Sequence, residues 1–249
     1  MEKQNLTIVG NWKMHGHQQI AEGLLASIAS VSEQRDIQIV VCPPALLVSA
    51  VVAALKGTPV KTGGQDCHAQ KEGAFTGDTS AEMLHAMGCR YVIVGHSERR
   101  SLHHETDADV HAKALQAMAC GLTPIICIGE TAVQREAGQA EAVVEKQLID
   151  SIPAGKGQFL LAYEPVWAIG SGKTPTVIDI SHMHRHINSV VSRHSGGLAG
   201  VLYGGSVKAA NAAEILKADG VAGVLVGGAS LKAEEFCGII AAAAALKKD

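Results

Sequence analysis

Apolar residues make up 47% of the 249-residue chain but aromatics only 3%, so any core is built from Ala, Val, Leu and Ile. That favours helices packed on a sheet over an aromatic-rich β-sandwich. A net charge of -3 supplies no broad positive field, which argues against nucleic acid and acidic membranes as partners.

Cys42, Cys67, Cys89, Cys120, Cys127 and Cys237 include no CxxC pair, and several sit in or beside apolar runs where reduced thiols are commonly buried. No basic-then-apolar leader precedes the first strand, and no apolar run approaches about 18 residues. A reduced, cytoplasmic protein without a membrane span is expected.

Short apolar runs recur at Leu6 to Gly10, Ile37 to Cys42, Val60 to Gly64, Tyr91 to Gly95, Thr123 to Ile128, Phe159 to Tyr163, Ala199 to Tyr203 and Val224 to Val226. They are continuous rather than alternating, as parallel strands buried on both faces are, and helix-like stretches separate them. Strand then helix, repeated in this way, makes a closed barrel or a large open sheet. The strand ends decide between the two. Polar or glycine-rich sequence follows at NWK, GGQDC, GHSERR, GET, EP, GGS and GGAS. An open sheet uses one switch point, whereas a barrel uses its whole C-terminal rim. The prediction is an α/β, single-domain (β/α)8 barrel over residues 1–249, closed by a helix whose alanine-rich tail, 241–248, ends in two lysines.

On that rim Asn11 and Lys13 flank Trp12, and an extended segment would point both to one face, where Lys13 could offset negative charge. His96 in GHSERR stands at the start of a helical turn, whose dipole disfavours a second ring proton and leaves one N–H to donate. Glu164 ends the sixth run, and Pro165 stops the strand. Desolvation beside Tyr163, Pro165, Val166 and Trp167 is expected to raise its proton affinity toward that of a useful base. The following loop, with Gly170 and Gly172, reads as a lid over about 165–176. Gly204-Gly205-Ser206 and Gly227-Gly228-Ala229-Ser230 follow the last two runs, where barrels often build a phosphate cup from backbone N–H groups.

Two motifs are decoys. Gly172-Lys173-Thr174 imitates a P-loop ending, but Trp167 stands where that motif needs glycine and Pro175 interferes with the helix it should open. His182, His184 and His186 would line up as metal ligands only on a strand. On the helix expected here they fan around the axis and read as surface residues.

Taken together, NWKM at 11–14, GHSERR at 95–100, YEPVWAIGSGKT at 163–174, YGGSV at 203–207 and LVGGASL at 225–231 resemble the triosephosphate isomerase family over essentially the whole chain. The resemblance implies a TIM barrel that interconverts dihydroxyacetone phosphate and D-glyceraldehyde 3-phosphate, a step of glycolysis and gluconeogenesis, without cofactor or metal. It implies Glu164 as base, neutral His96 as proton shuttle, and Asn11 and Lys13 as stabilisers of the enediolate; this pairing of glutamate and neutral histidine is the family's established arrangement. It further implies phosphate contacts from Gly170, Ser206, Gly227 and Gly228, and support from Ser97 and Glu98. Finally, it implies a homodimer in which GAFTGDTS at 73–80 docks into the partner, with Met14, Gln65, Phe75, Thr76 and Arg99 at the contact.

The chain departs from the family at several points. Asp78 replaces a common glutamate, so an ion pair reaching the partner's Arg99 would be weaker or water-bridged. A charged pair common near Asn188 and Ala222 is missing on both sides, which leaves no orphan. Pro175 replaces a small residue at the rear of the lid and restricts Thr174 to extended angles. Two other readings remain: a different phosphate-binding barrel enzyme, which would want a Schiff-base lysine or metal ligands, and a non-catalytic phosphate-binding barrel acting as a scaffold. Intact Asn11, Lys13, His96 and Glu164 argue against the second.

Overall fold

Eight parallel strands close into a barrel in sequence order, β1 (Leu6–Asn11) pairing with β2 (Ile37–Cys42) on one side and β8 (Gly223–Val226) on the other. The computed structural model describes residues 6–16, 18–31, 37–154, 157–169, 175–194 and 198–246. Between β1 and β8 come β3 (Lys61–Gly64), β4 (Tyr91–Val94), β5 (Thr123–Ile128), β6 (Phe159–Tyr163) and β7 (Leu198–Tyr203). The outer ring consists of α1 (Gln18–Val31), α2 (Val48–Ala54), α3 (Ala81–Ala86), α4 (Ser97–Leu102), α5 (Asp107–Ala119), α6 (Ala132–Glu136), α7 (Ala140–Ser151), α8 (Val177–His194), α9 (Ala209–Leu216) and α10 (Ala233–Ala245). The strands fall where the apolar runs place them, to within a residue or so. β4 stops one residue early because Gly95 turns to φ +67°, where a Cβ would also lie 2.6 Å from Val110.

The core has two shells, which explains the continuous apolar runs. Val9, Val40, Ile93, Ile125, Cys127, Leu160, Leu202 and Leu225 fill the barrel interior. Their strand neighbours, such as Ile8, Val41, Val92, Ile126 and Leu161, point outward against the helices. Successive residues of a strand face opposite sides, and here both sides are dry. All six cysteines are free, and Cys42, Cys67, Cys89 and Cys127 are buried. Among the described residues, no helix is long and apolar enough to cross a membrane.

The helix starts are set locally. Thr106 and Asp109 form a reciprocal capping box on α5, and Thr131 with Gln134 does the same for α6. Thr176 and Asp179 repeat it on α8: Asp179 Oδ2 accepts from the Thr176 N–H at 3.1 Å, and Thr176 Oγ1 accepts from the Asp179 N–H at 3.2 Å. Since every strand runs the same way, the ends of β1, β4, β6, β7 and β8 meet at one rim.

Candidate active site

Asn11 is the last residue of β1 and is 5% exposed, its Oδ1 accepting the Lys13 N–H at 3.0 Å. Lys13 is not in the extended conformation expected of it. Its φ is +52°, a left-handed backbone that is uncommon for a lysine. The surroundings enforce it: Gln65 Nε2 donates to the carbonyls of Lys13 and Cys42, both at 2.8 Å. The ammonium group of Lys13 is thereby aimed at the rim, where it pairs with Glu98.

His96 caps α4 as the sequence suggests. Its Nδ1 accepts the Glu98 backbone N–H at 3.2 Å, so the ring proton is assigned to Nε2. Nε2 lies 3.0 Å from Glu164 Oε1, while the Ser97 N–H donates to Glu164 Oε2 at 2.8 Å. The expectation that Glu164 gains proton affinity is therefore corrected for this arrangement. Burial is the largest influence and pushes its pKa up, but His96, the Ser97 N–H and Lys13 together hold it below the usual carboxylate value. For His96, burial disfavours the cation, yet Glu164 and Glu98 raise its proton affinity overall. The helix dipole expected to dominate is outweighed by a carboxylate in direct contact.

Behind Glu164 lies a buried carboxylate whose importance the sequence does not reveal. Glu130, from the GET turn after β5, is completely buried; its Oε1 accepts from Tyr163 Oη at 3.1 Å and Trp167 Nε1 at 2.9 Å, with Arg135 at 3.2 Å. Arg135 also reaches Asp179 at 3.1 Å and stacks 4.8 Å from the Trp167 ring centre. This cluster links the short 3-10 turn Val166–Ala168 to the start of α8, the two described flanks of the expected lid. Gly170 and the rest of 170–174 lie outside the described residues.

Asn11, Lys13, His96 and Glu164 line one cavity of about 220 Å³, together with Ser206, Gly227 and Gly228. Gly204 and Gly205, from the glycine-rich loop expected to form part of a phosphate cup, line it too, and so does Lys208, which the sequence did not single out. The glycines allow close approach. A Cβ on Gly204 would sit 2.9 Å from Glu164 Cγ, and one on Gly227 would sit 3.3 Å from Lys13 Cε. Ser230 ties the eighth loop down by donating to the Gly227 carbonyl at 2.7 Å. Among the described lining residues only His96 and Glu164 are of a metal-ligating type, fewer than the three protein ligands usual for a catalytic zinc. A carboxylate and an N–H-bearing imidazole in contact, beside an ammonium and a glycine-lined cup, can move protons on a small anionic substrate.

The residues expected at a dimer contact lie to one side. Met14 is 93% exposed, Thr76 is exposed, and Phe75 stacks on His68 with ring centres 3.9 Å apart. Gln65 faces inward, and Arg99 is held by Asp66 at 3.0 Å and Glu105 at 2.5 Å. Asp78 approaches His68 at 3.7 Å. Asn188 donates to the carbonyls of His184 and Gly220 at 2.9 and 3.3 Å, and Ala222 is buried. The three histidines of α8 do not all lie on the surface: His184 is completely buried, whereas His182 and His186 share the face toward α7. Spacing alone does not say which face of the helix packs inward.

Comparison with known proteins agrees with this geometry. The sequence profile of the family described as Triosephosphate isomerase matches residues 6–243. Triosephosphate isomerase of Chelativorans sp. is 50% identical over 247 residues, spanning 94% of this chain and 95% of that protein. The enzyme of Afipia carboxidovorans is 51% identical over 239 residues, spanning 93% and 95%. The crystal structure of triosephosphate isomerase from Bartonella henselae superposes with a TM-score of 0.88 at 40% identity, covering 96% of this chain and 98% of that one. A matched profile over nearly the whole barrel, with relatives at half identity, means that this chain belongs to the triosephosphate isomerase family.

Proposed function

We propose that the chain interconverts dihydroxyacetone phosphate and D-glyceraldehyde 3-phosphate through an enediolate. The observation that carries this reading is the 3.0 Å contact of His96 Nε2 with Glu164 Oε1 on the wall of a cavity shared with Asn11 and Lys13. Glu164 takes a proton from the carbon beside the carbonyl and returns it to the neighbouring carbon. His96 donates from Nε2 and moves protons between the two oxygens, while Asn11 and Lys13 stabilise the oxyanion. Backbone groups of Gly170, Ser206, Gly227 and Gly228 hold the phosphate.

In the resting arrangement the base and the histidine are bonded to each other. A substrate seated between them replaces that contact, so burial acts on Glu164 without the imidazole opposing it. Its proton affinity rises as substrate arrives, which suits a base that must not be spent on its neighbour. Closure of 165–176 over the ligand would exclude water and keep the enediolate from losing phosphate.

The same reading takes the protein as a cytoplasmic homodimer. A second cavity of about 480 Å³, bordered by Lys13, Met14, Gln65 and Arg99, adjoins the first and in this reading would take the Phe75–Thr76 loop of another copy. Six free thiols suit a reducing compartment.

A coupled assay on glyceraldehyde 3-phosphate tests the proposal. The native protein should turn over, and Glu164→Gln should lose about 10²- to 10⁴-fold or more in rate. A folded native protein that binds a triose phosphate analogue without turnover would instead establish a scaffold.

A further inference from the structure

We propose that Lys208 is a further substrate-recognition residue, an ammonium at the mouth of the catalytic cavity that attracts the phosphate dianion and guides it to the Ser206 side of the cup. The inference rests on the isomerase reading above and assigns the capture of substrate charge to a residue outside the reacting group.

Lys208 lines the cavity that holds Lys13 and Glu164, and it is exposed to solvent. Among the described residues no carboxylate pairs with its ammonium group. The other charges on that wall do not welcome an anion. Lys13 is engaged by Glu98, and Glu164 is itself negative, so these three groups together leave negative charge facing the ligand. The chain as a whole, at a net charge of -3, does not correct this from a distance. A phosphate dianion therefore meets repulsion until it touches the backbone N–H groups, and Lys208 offsets that repulsion.

Lys208 is also poorly suited to its place in the helix. It is the N-cap of α9, extended at φ -135° and ψ 165°, and its side chain makes no capping bond. An ammonium has no lone pair with which to accept a helix N–H, and a cation at a helix N-terminus opposes the helix dipole. Other residues do the capping: Glu235 of α10 accepts the Ala209 N–H at 2.9 Å, and Asn211 Oδ1 accepts the Lys208 N–H at 2.8 Å. Natural chains break such local rules mainly where function requires it.

Asn211 also donates from Nδ2 to the Ser206 carbonyl at 3.2 Å, so one side chain fixes Lys208 and Ser206 relative to each other. A cation anchored beside Ser206 on a flexible four-carbon stem can meet the dianion in solvent and stay near it once bound. At a separation of about 8 Å in water, such an attraction enriches a dianion about sixfold at low salt and about twofold in 0.15 M salt, where that separation is one Debye length.

The test compares the native protein with Lys208→Ser and Lys208→Arg in the coupled assay on glyceraldehyde 3-phosphate, from about 20 to 200 mM sodium chloride. Affinity for glycerol 3-phosphate, which carries the phosphate but no carbonyl, is measured by calorimetry in the same buffers. Lys208→Ser should keep kcat within about twofold, since the attraction acts alike on bound substrate and transition state, and should lose kcat/KM about three- to sixfold at low salt. The gap should close as salt rises, Lys208→Arg should restore the native profile, and glycerol 3-phosphate should weaken in parallel. Serine is the better N-cap, so the melting temperature of Lys208→Ser should rise while capture falls, a pairing that a merely structural lysine does not give. Salt profiles that coincide with the native one overturn the proposal. So does a loss of kcat/KM that is independent of salt and accompanied by a lower melting temperature, which would assign Lys208 to the helix start. If the native protein binds glycerol 3-phosphate without turning over its substrate, the isomerase reading fails and the calorimetric series alone decides on Lys208.

Discussion

His96 Nε2 lies 3.0 Å from Glu164 Oε1, so each group sets the proton affinity of the other. The carboxylate raises the histidine and the histidine lowers the carboxylate, both against the pull of burial. Removing the ring should release that opposition. In His96→Gln, Glu164 stays buried but loses its largest favourable partner, and its pKa should rise. The acid limb of the kcat/KM profile, or the carboxyl carbon resonance of Glu164, should move to higher pH. An unmoved titration would mean that the contact carries little electrostatic weight.

Gly204 governs where that carboxylate sits. A methyl group placed there would meet Glu164 Cγ at 2.9 Å and the Tyr163 carbonyl oxygen at 3.2 Å. The backbone oxygen cannot retreat, so the side chain must, and its bonds to Ser97 and His96 stretch. A displacement of this order costs about 10²-fold in rate when it misplaces a reacting group. Gly204→Ala should therefore lose kcat by tenfold or more, in rough terms, while circular dichroism shows an intact barrel. Unchanged kcat would show that Glu164 reaches its working position by a path that avoids the added methyl.

Much of this site was legible in the sequence, for a physical reason. Strands buried on both faces must be apolar throughout, so Phe159–Tyr163 stands out, and the first polar residue after it, Glu164, marks the rim. His96 was readable likewise, directly after Gly95. Lys13 was located correctly but its backbone was not, because the turn at φ +52° is bonded on one side by Asn11 and on the other by Gln65, which comes from more than fifty residues away. Glu130 was invisible as a hub since Tyr163 and Trp167 reach it only once the barrel closes. His184 was misread because the sequence does not state which stripe of α8 packs inward.

That buried histidine has a consequence for acid stability. His184 lies between Tyr163 and Tyr203, with Nδ1 3.3 Å from the Gly220 carbonyl, and burial lowers its pKa to about 4. Unfolded chain binds the proton near pH 6.5, whereas folded chain refuses it until about 4. Between those values the unfolded state holds more protons, so stability is full above about pH 6.5 and declines as pH falls toward 4. Across the whole window the loss amounts to about 3 kcal/mol. His184→Gln, which keeps a donor near Gly220 but does not titrate, should show a flatter decline in urea-derived stability between pH 6.5 and 4. Equal slopes in the two proteins would assign acid sensitivity to other groups.

Pro175 is buried and directly precedes Thr176, which is locked into the start of α8 by its reciprocal bonds with Asp179. Asp179 is itself held by Arg135, so the rear flank of the proposed lid is anchored on three sides. A proline at this junction fixes its own φ and confines the residue before it to extended angles, leaving few torsions at the rear through which closure can turn. Pro175→Ala restores both torsions. Relaxation dispersion on the amides of Val166, Trp167 and Thr176 should then report a changed exchange rate, and kcat should change with it if closure limits turnover. Binding of a phosphate analogue should hold steady, since Ser206, Gly227 and Gly228 are untouched. An exchange rate equal to that of the native protein would show that the rear junction takes no part in closure and that all of the turning occurs on the Trp167 side.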